Sequence, residues 1–270
     1  MFVIKLMIKI KKVGKRMIFD SHAHYDDEAF DNDRKELLGS MKENRIEYIV
    51  NVGASMKTCR QTLELVKQHK FIYGAIGVHP SDTAELNEDK FKELCKMVDS
   101  DKIVAVGEIG LDYYWDEPDR SIQKKWFERQ IHMAKDKNKP IIYHSRDAAK
   151  DTLDIIKSTK AWEVGGVIHC FSYGVEMARE YLNMGYYIGV GGVVTFKNAK
   201  KLKEVVEYTP LDKILIETDC PYLTPVPFRG KRNDSTKLHY VVEEIANIKG
   251  VDVEEVMRIT MENAKRMYRL

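Results

Sequence analysis

The sequence lacks the features that mark membrane, disulfide-stabilised and zinc-finger proteins. No stretch reaches the run of about 18 apolar residues that indicates a helix spanning a bilayer. The chain has only four cysteines, at Cys59, Cys95, Cys170 and Cys220. None of them forms a CxxC pair, so neither a structural zinc site nor a disulfide framework is expected. This cysteine usage is typical of a reducing compartment, and we expect a cytoplasmic protein.

A strong net charge is also absent. The 270 residues include 44 basic and 42 acidic side chains, which leaves a formal charge of +2. No global field therefore draws the protein to nucleic acid, and a polyanionic substrate would have to be held by local contacts. Hydrophobic residues make up 44% of the chain, which is enough for a sizeable core. A length of 270 residues is typical of one α/β barrel.

The first sixteen residues are apolar and basic. Lys5 and Lys9 interrupt their apolar stretch and no small-residue cleavage site follows, so a signal peptide is not expected. Met17 opens the first strand-like run. We therefore expect residues 1–16 to be an N-terminal appendage and residues 17–270 to form a single domain.

Eight short apolar runs recur along the chain, and most are continuously apolar, as strands buried on both faces are. They lie near residues 17–21, 46–52, 71–78, 103–108, 140–144, 165–170, 186–190 and 213–218. Apolar spacing of i, i+3, i+4 predicts helices at 33–44, 56–69, 89–98, 120–138, 147–158, 175–184, 198–208, 236–248 and 252–268. Alternating strands and helices predict a parallel sheet. Eight such units favour an α/β fold of the (β/α)8 TIM-barrel type over a doubly wound open sheet.

Side chains that can bind a metal stand at the ends of these runs. They are His22 and His24 after the first run, Glu108 at the end of the fourth, His144 at the end of the fifth, His169 in the sixth and Asp219 after the eighth. The C-terminal ends of barrel strands converge on one face, so these side chains are predicted to meet there. The i, i+2 spacing of His22 and His24 places both imidazoles on one side of a strand. A lone HxH motif or a single histidine at the end of a strand would be weak evidence for a metal site. The prediction rests on the combination of all six residues.

The number of predicted ligands indicates two metal ions. Six ligands exceed what one tetrahedral zinc takes, and the two oxygens of Glu108 could bridge a pair of ions. A cation lowers the pKa of a bound water to roughly 7, and Asp219 could accept the proton from that water. Histidine ligands suit zinc, manganese or iron, whereas carboxylates and phosphate oxygens also tolerate magnesium. We therefore expect a metal-dependent hydrolase with two divalent ions.

Seven motifs strengthen this prediction because they occur together and in a fixed order. From the N-terminus they are MIFDSHAH, AIGVHP, VGEIGLDYY, IYHSR, HCFS, ETDCPYLTP and RGKRND. Together they resemble the TatD family of metal-dependent deoxyribonucleases, within the amidohydrolase-like barrel superfamily, over about residues 17–268. The resemblance implies that the same six residues are the metal ligands. It also implies 3′-to-5′ removal of nucleotides from DNA ends, as an activity of DNA repair. One departure is Tyr173, which stands where many relatives have glycine after HCFS.

Groups that could bind a DNA substrate follow several strands. His79 in GVHP could donate to a phosphate oxygen and take part in catalysis with Asp219 and Glu108. The planar guanidinium of Arg146 matches the geometry of phosphate oxygens. Arg229 opens a short basic loop with Lys231 and Arg232. This loop could bind substrate, and a solvated run of charges would explain it equally well.

Aromatic residues follow the GLD motif. Tyr113, with Tyr114 and Trp115, could stack on unpaired bases, each stack contributing about 1–3 kcal/mol, or could instead cap the barrel. Cys170 and Cys220 each adjoin a predicted ligand. Because neighbours on a strand point to opposite faces, we expect these two cysteines to point away from the site and serve in packing.

Other functions remain open on the sequence alone. Some relatives in this superfamily are thought to deacylate D-aminoacyl-tRNA, and others hydrolyse lactones, cyclic amides or organophosphates. A metal- or nucleic-acid-binding protein without activity is a further alternative, which the complete ligand set disfavours. The arginine and histidine residues expected at the mouth favour a phosphate substrate. We therefore expect a monomeric exodeoxyribonuclease that acts on single-stranded DNA or 3′ ends.

Overall fold

The structure is a computed structural model that describes residues 16–270. The predicted appendage at residues 1–16 lies outside the described residues except for Arg16, so the proposed domain boundary stays a prediction. In the described part of the chain, no helix is both long enough and apolar enough to cross a membrane.

Eight parallel strands form one sheet in which each strand pairs with the next along the chain. They are β1 Ile18–Ala23, β2 Ile46–Val52, β3 Ile72–Ile76, β4 Ile103–Asp112, β5 Ile141–Arg146, β6 Gly166–Ile168, β7 Tyr187–Val190 and β8 Ile214–Ile216. A parallel bridge between Ala23 and Cys220 brings the end of β1 against the segment that follows β8. The predicted (β/α)8 barrel is confirmed.

Nine α-helices occur within residues 16–270, and every helical segment predicted from the sequence is present. They are α1 Arg34–Gly39, α2 Met56–Gln68, α3 Glu88–Val98, α4 Arg120–Asp136, α5 Ala149–Ser158, α6 Val175–Asn183, α7 Lys200–Tyr208, α8 Leu238–Lys249 and α9 Val253–Tyr268. Short 3-10 helices lie at Glu28–Phe30, Pro80–Glu85, Ala161–Glu163, Gly192–Thr195, Leu211–Lys213 and Ser235–Lys237. The largest difference is α1, which stops at Gly39 rather than continuing to residue 44, because glycine and the serine that follows are weak helix formers.

Strand β4 is longer than the sequence predicted, and its extension carries the GEIGLD motif. The sequence predicts this run near residues 103–108, and glycine, which is uncommon in strands, interrupts the apolar pattern beyond it. Gly110 has a φ of 152°, and a Cβ on it would lie 1.8 Å from the carbonyl oxygen of His144. Only glycine therefore lets β4 and β5 pair at this point, where both strands present site residues.

The N-terminal end of the barrel is closed by the end of α9. The ring of Tyr268 stacks on that of Phe19, with centroids 5.9 Å apart, and its hydroxyl donates to the carbonyl of Ser21 at 2.7 Å. Arg269 continues across this end and donates to the carbonyls of Asn138 and Val164. The core within the barrel is thus sealed at one end, and the opposite end is the one to which the predicted ligands belong.

Candidate metal centre

The six predicted ligands converge at the C-terminal end of the barrel. His22 lies in β1 and His24 follows it, Glu108 lies in β4, His144 in β5, His169 directly after β6 and Asp219 after β8. All six side chains are buried or half-buried. Two groups within this set place one donor atom each within 4.8 Å of one another, which is close enough to share a metal ion: His22, His24 and Asp219; and His22, Glu108 and His169. Two further groups of this kind combine predicted ligands with other residues: His169, Cys170 and Asp219; and His79, Asp112 and His144.

Four donor atoms form a compact first cluster. Nε2 of His22 lies 3.1 Å from Nε2 of His24, 3.5 Å from Oε2 of Glu108 and 3.7 Å from Oδ1 of Asp219. Nε2 of His24 lies 3.3 Å from Oδ1 of Asp219 and 3.9 Å from Oε2 of Glu108. With metal–ligand bonds of about 2.0–2.2 Å, the edges of a tetrahedron of donor atoms are roughly 3.3–3.6 Å long. The first cluster therefore has the size that a single metal ion needs.

Glu108 also faces a second cluster with its other oxygen. Oε1 lies 2.7 Å from Nδ1 of His144 and 3.7 Å from Nε2 of His169. Three protein donors, rather than four, would leave a position open for water or substrate, as catalytic metal sites do. The two oxygens of one carboxylate thus serve two groups of donors, which is the arrangement of a bridged pair of ions.

The electrostatics of the cluster favour added positive charge. Burial lowers the pKa of His24, but the Asp219 carboxylate outweighs burial and raises the pKa to about 9. Burial likewise lowers the pKa of His169, and the charges of Glu217 and Glu108 outweigh it and raise the pKa to about 10. Burial raises the pKa of Glu108, yet the neighbouring histidines hold that pKa well below its usual range. The donor atoms fit metal ions, since only cations or protons can hold so many lone pairs this close together.

Backbone conformation and hydrogen bonds position Asp219 beside the HxH segment. Asp219 has a φ of 54°, in the left-handed region that aspartate tolerates better than most residues. Its amide donates to the carbonyl of His22 at 2.9 Å. The buried carboxylate of Asp20 accepts from the amides of His22 and Thr218 and from the hydroxyls of Thr218 and Ser235. Asp20 therefore ties the HxH segment to the segment that carries Asp219.

Two buried carboxylates beside the site were not predicted from the sequence. Oδ2 of Asp112 accepts from Nε2 of His144 at 3.0 Å, and Oε1 of Glu217 lies 3.1 Å from Nδ1 of His169. Both acids occur in motifs that the sequence displays, GLD and ETD. An acid at the end of a buried strand is costly without a partner, and that cost was the signal that could have identified them.

His79 lies beside the second cluster. Its ring meets the ring of His144 edge-on with centroids 4.2 Å apart, and its Nδ1 accepts from the amide of Ser81. Burial, together with the charge of His144, lowers the pKa of His79 to about 3. A neutral imidazole that accepts at Nδ1 carries its proton on Nε2, so His79 can donate from Nε2. This agrees with the donor role predicted for it.

Arg146 and the aromatic segment after β4 lie together at the mouth of the barrel. The guanidinium carbon of Arg146 lies 3.7 Å from the centroid of the Tyr114 ring, and Arg146 is exposed. Tyr113 is half-buried, donates its hydroxyl to Asp151 at 2.7 Å and stacks under Arg120. The more exposed rings are those of Tyr114 and Trp115, at 56% and 65% exposure. A stacking role falls more naturally on these two rings than on Tyr113.

The basic loop after β8 divides into two kinds of residue. Arg232 forms a bidentate contact with Asp33 at 2.6 and 2.8 Å, so it links this loop to the one after β1. The guanidinium of Arg229 stacks on the ring of Phe196 at 4.4 Å. Arg232 is therefore engaged in a contact within the protein, whereas the substrate-binding role of Arg229 stays a prediction.

The prediction that Cys170 points away from the site is wrong. The thiol of Cys170 lies within 4.8 Å of donor atoms of His169 and Asp219. Strand β6 ends at Ile168, and Cys170 has a φ of 43°, so strand alternation no longer applies to it. Cys220, in contrast, is fully buried in the hydrophobic core, as predicted.

Comparisons with known proteins agree with this geometry. The model of the family described as TatD related DNase matches residues 19–269. The uncharacterized metal-dependent hydrolase YabD of Bacillus subtilis is 47% identical over 254 residues, which cover 94% of this chain and 100% of YabD. The uncharacterized metal-dependent hydrolase YcfH of Escherichia coli K12 is 35% identical over 256 residues, which cover 94% of this chain and 96% of YcfH.

Solved structures give the same result. The crystal structure of YjjV, a TatD homologue from Escherichia coli K12, superposes with a TM-score of 0.89 at 27% identity and covers 94% of this chain and 98% of YjjV. A TatD family hydrolase from Entamoeba histolytica has the same fold, with a TM-score of 0.86 at 24% identity over 94% of this chain and 98% of that protein. The resemblance inferred from the sequence motifs is confirmed, and the chain is a metal-dependent hydrolase that belongs to the TatD-related DNase family.

Proposed function

We propose that this protein hydrolyses phosphodiester bonds of DNA and removes nucleotides from 3′ ends with two divalent ions, most simply as a monomer. The observation that carries the proposal is the position of Glu108, whose Oε2 faces His22 and His24 while its Oε1 faces His144 and His169. The first ion would be held by His22, His24, Asp219 and Glu108, and the second by His144, His169 and Glu108. Zinc, manganese and magnesium are the candidate ions.

The ions would supply Lewis-acid charge to a phosphate group and a nearby water. The protein's own contribution begins with Asp219. Burial raises its pKa, but the charge of His169 and the hydrogen bond with His24 outweigh burial and lower it. Asp219 therefore stays ionised at neutral pH and can accept a proton from the attacking water.

The phosphate would be held by Arg146 and His79. Arg146 is exposed at the end of β5, and no acidic side chain within residues 16–270 forms a salt bridge with it. Its stacking on Tyr114 fixes the plane of the guanidinium while leaving the N–H groups available. His79 offers a neutral Nε2 donor beside His144. A cation and a neutral donor next to the ions suit an anionic substrate better than a neutral ester or amide.

A substrate panel tests this proposal. The purified protein is stripped of metal and reloaded with Mn²⁺, Zn²⁺ or Mg²⁺. It is then assayed on 3′-labelled and 5′-labelled single-stranded DNA, on D-aminoacyl-tRNA and on a lactone. We expect release of the 3′ label first and only weak turnover of the other substrates. Glu108→Gln is the inactive control. Turnover of the aminoacyl-tRNA or the lactone without cleavage of DNA would overturn the proposal.

A further inference from the structure

The two groups of metal donors differ in what stands behind their histidines. In the second cluster, each histidine has a carboxylate at its outer nitrogen: Asp112 behind His144 and Glu217 behind His169. In the first cluster, Nδ1 of His24 contacts the carbonyl of Val52 at 2.8 Å. Nδ1 of His22 and Nδ1 of His169 are both buried without a hydrogen-bond partner among the described residues, but the Glu217 carboxylate lies 3.1 Å from Nδ1 of His169. The four histidines therefore fall into two classes.

We propose that Asp112 and Glu217 are positioning residues that build the second ion site, and that the first site does not depend on them. This inference rests on the two-ion centre proposed above. Neither acid belongs to the set of six predicted ligands, and each acts through the histidine that it contacts.

The surroundings of Glu217 accommodate its carboxylate. Its side chain is 1% exposed, and within residues 16–270 no lysine or arginine forms a salt bridge with it. Oε1 accepts from the amide of Cys170 at 2.6 Å. A Cβ on Gly189 would lie 2.6 Å from that same oxygen, so glycine in β7 leaves the space that the carboxylate fills. A buried carboxylate without a cationic side chain is costly, and a positively charged His169, or an ion held by it, would offset that cost.

Asp112 divides its two oxygens between two tasks. Oδ1 accepts from the amides of Tyr114 and Trp115, which shapes the loop after β4. Oδ2 accepts from Nε2 of His144, and only a protonated Nε2 can donate in this way. Nδ1 lies 2.7 Å from Oε1 of Glu108 and shares a second proton with it when no ion is bound, and an ion held there would replace that proton and use the Nδ1 lone pair.

Asp112 thus favours the tautomer of His144 with the proton on Nε2, holds the orientation of that ring and raises the basicity of Nδ1, the nitrogen that would face an ion. Outer-shell partners of this kind typically change metal affinity about 10–100-fold when they are replaced. The same reasoning gives Glu217 control over His169, although its contact with Nδ1 is a close charge contact rather than a well-directed hydrogen bond. The second ion should therefore be the one that is lost when either acid is neutralised.

The experiment measures metal binding rather than turnover. Wild type, Asp112→Asn and Glu217→Gln are stripped of metal and titrated with Mn²⁺, with bound ions counted by elemental analysis and free Mn²⁺ followed by electron paramagnetic resonance. Both substitutions keep the shape and an acceptor oxygen. We expect two ions in wild type, with the weaker of two dissociation constants increased about 10–100-fold in each variant and the other unchanged.

Asp26→Asn is the matched control, because Asp26 is also buried and accepts from Asn51 rather than from a histidine of the second cluster. It should leave the affinity for the second ion unchanged. Gly189→Ala is a second variant that perturbs the same site. Its added Cβ would displace the Glu217 carboxylate while every charge is kept, so it should also weaken the binding of one ion. Circular dichroism and melting temperature show that each variant is folded.

The outcomes separate this inference from the proposed function. Only one ion bound to wild type would refute the two-ion centre itself. Two ions in wild type, with unchanged affinities in both Asp112→Asn and Glu217→Gln, would refute the positioning roles and leave the two-ion centre intact. Equal weakening of both ions by Asp112→Asn and Glu217→Gln, or weakening of the second ion by Asp26→Asn as well, would show a general effect of buried charge and would also overturn the inference.

Discussion

The amide of Asp219 donates to the carbonyl of His22 at 2.9 Å, and the amide of His24 donates to the carbonyl of Cys220 at 2.9 Å. These bonds join the segment after β8 to β1, so the backbone contact that completes the barrel also sets ligands from opposite ends of the chain side by side. The first cluster cannot form without this pairing. We expect formation of the site and cooperative folding of the barrel to be the same event.

Asp219→Asn should abolish most activity while preserving the fold. The amide keeps the size of the side chain but cannot accept the proton from water, and general bases typically contribute at least about 100-fold. Turnover on labelled DNA and the melting temperature are the two measurements. Asp212→Asn, an exposed aspartate at the other end of the same strand, is the control and should be active. Near-normal turnover by Asp219→Asn would exclude Asp219 as the base.

Arg146→Lys should raise the KM for DNA and leave the metal content unchanged. Lysine keeps the charge but loses the planar fork that binds two phosphate oxygens and stacks on Tyr114. Arg258→Lys on the exposed face of α9 is the control for the effect of an arginine-to-lysine change away from the site. If Arg146→Lys instead lost metal, Arg146 would have a structural role at the centre.

Rebinding of metal to the stripped protein should release protons. Because the pKa of His24 is raised to about 9 and that of His169 to about 10, both rings are protonated at pH 7 when no cation is bound. Binding through these nitrogens must displace the protons, so metal affinity should increase as pH rises from 7 towards 9. Calorimetric titrations in buffers of different ionisation enthalpy count the protons. A count of zero at pH 7 would contradict the predicted ligands.

Deletion of residues 1–16 should leave metal content and turnover on a short oligonucleotide intact. The N-terminal end of the barrel is already closed by Tyr268, which packs on Phe19. The six basic residues of the segment could still add a salt-sensitive attraction to long DNA, which would disappear as salt rises. A large fall in the melting temperature or in short-substrate activity would place the segment within the domain.

The two arginines of the loop after β8 should respond differently to alanine substitution. Arg232→Ala should lower the melting temperature, and in a double-mutant cycle the effect should not add to that of Asp33→Ala, because the two residues share one contact. Arg229→Ala should leave the melting temperature nearly unchanged and weaken binding of DNA. Additive effects for Arg232 and Asp33 would show that their contact contributes nothing measurable.

The sequence by itself determined the barrel and the six predicted ligands. Both follow from local patterns, since a continuously apolar run indicates a buried strand and the residue that ends it, such as His144 or Glu108, must lie at the common face of a parallel barrel. The largest difference at a strand boundary is the extension of β4 through Gly110 to Asp112.

Only the tertiary structure decided which acids stand behind the histidines and which cysteine faces the site. Asp112 reaches His144 through the register of β4 with β5, and Glu217 reaches His169 across the space left by Gly189 in β7. Cys170 turns towards the cluster because its backbone is left-handed directly after β6. These contacts join residues far apart in the chain, and strand periodicity carries no information about the side-chain distances that create them.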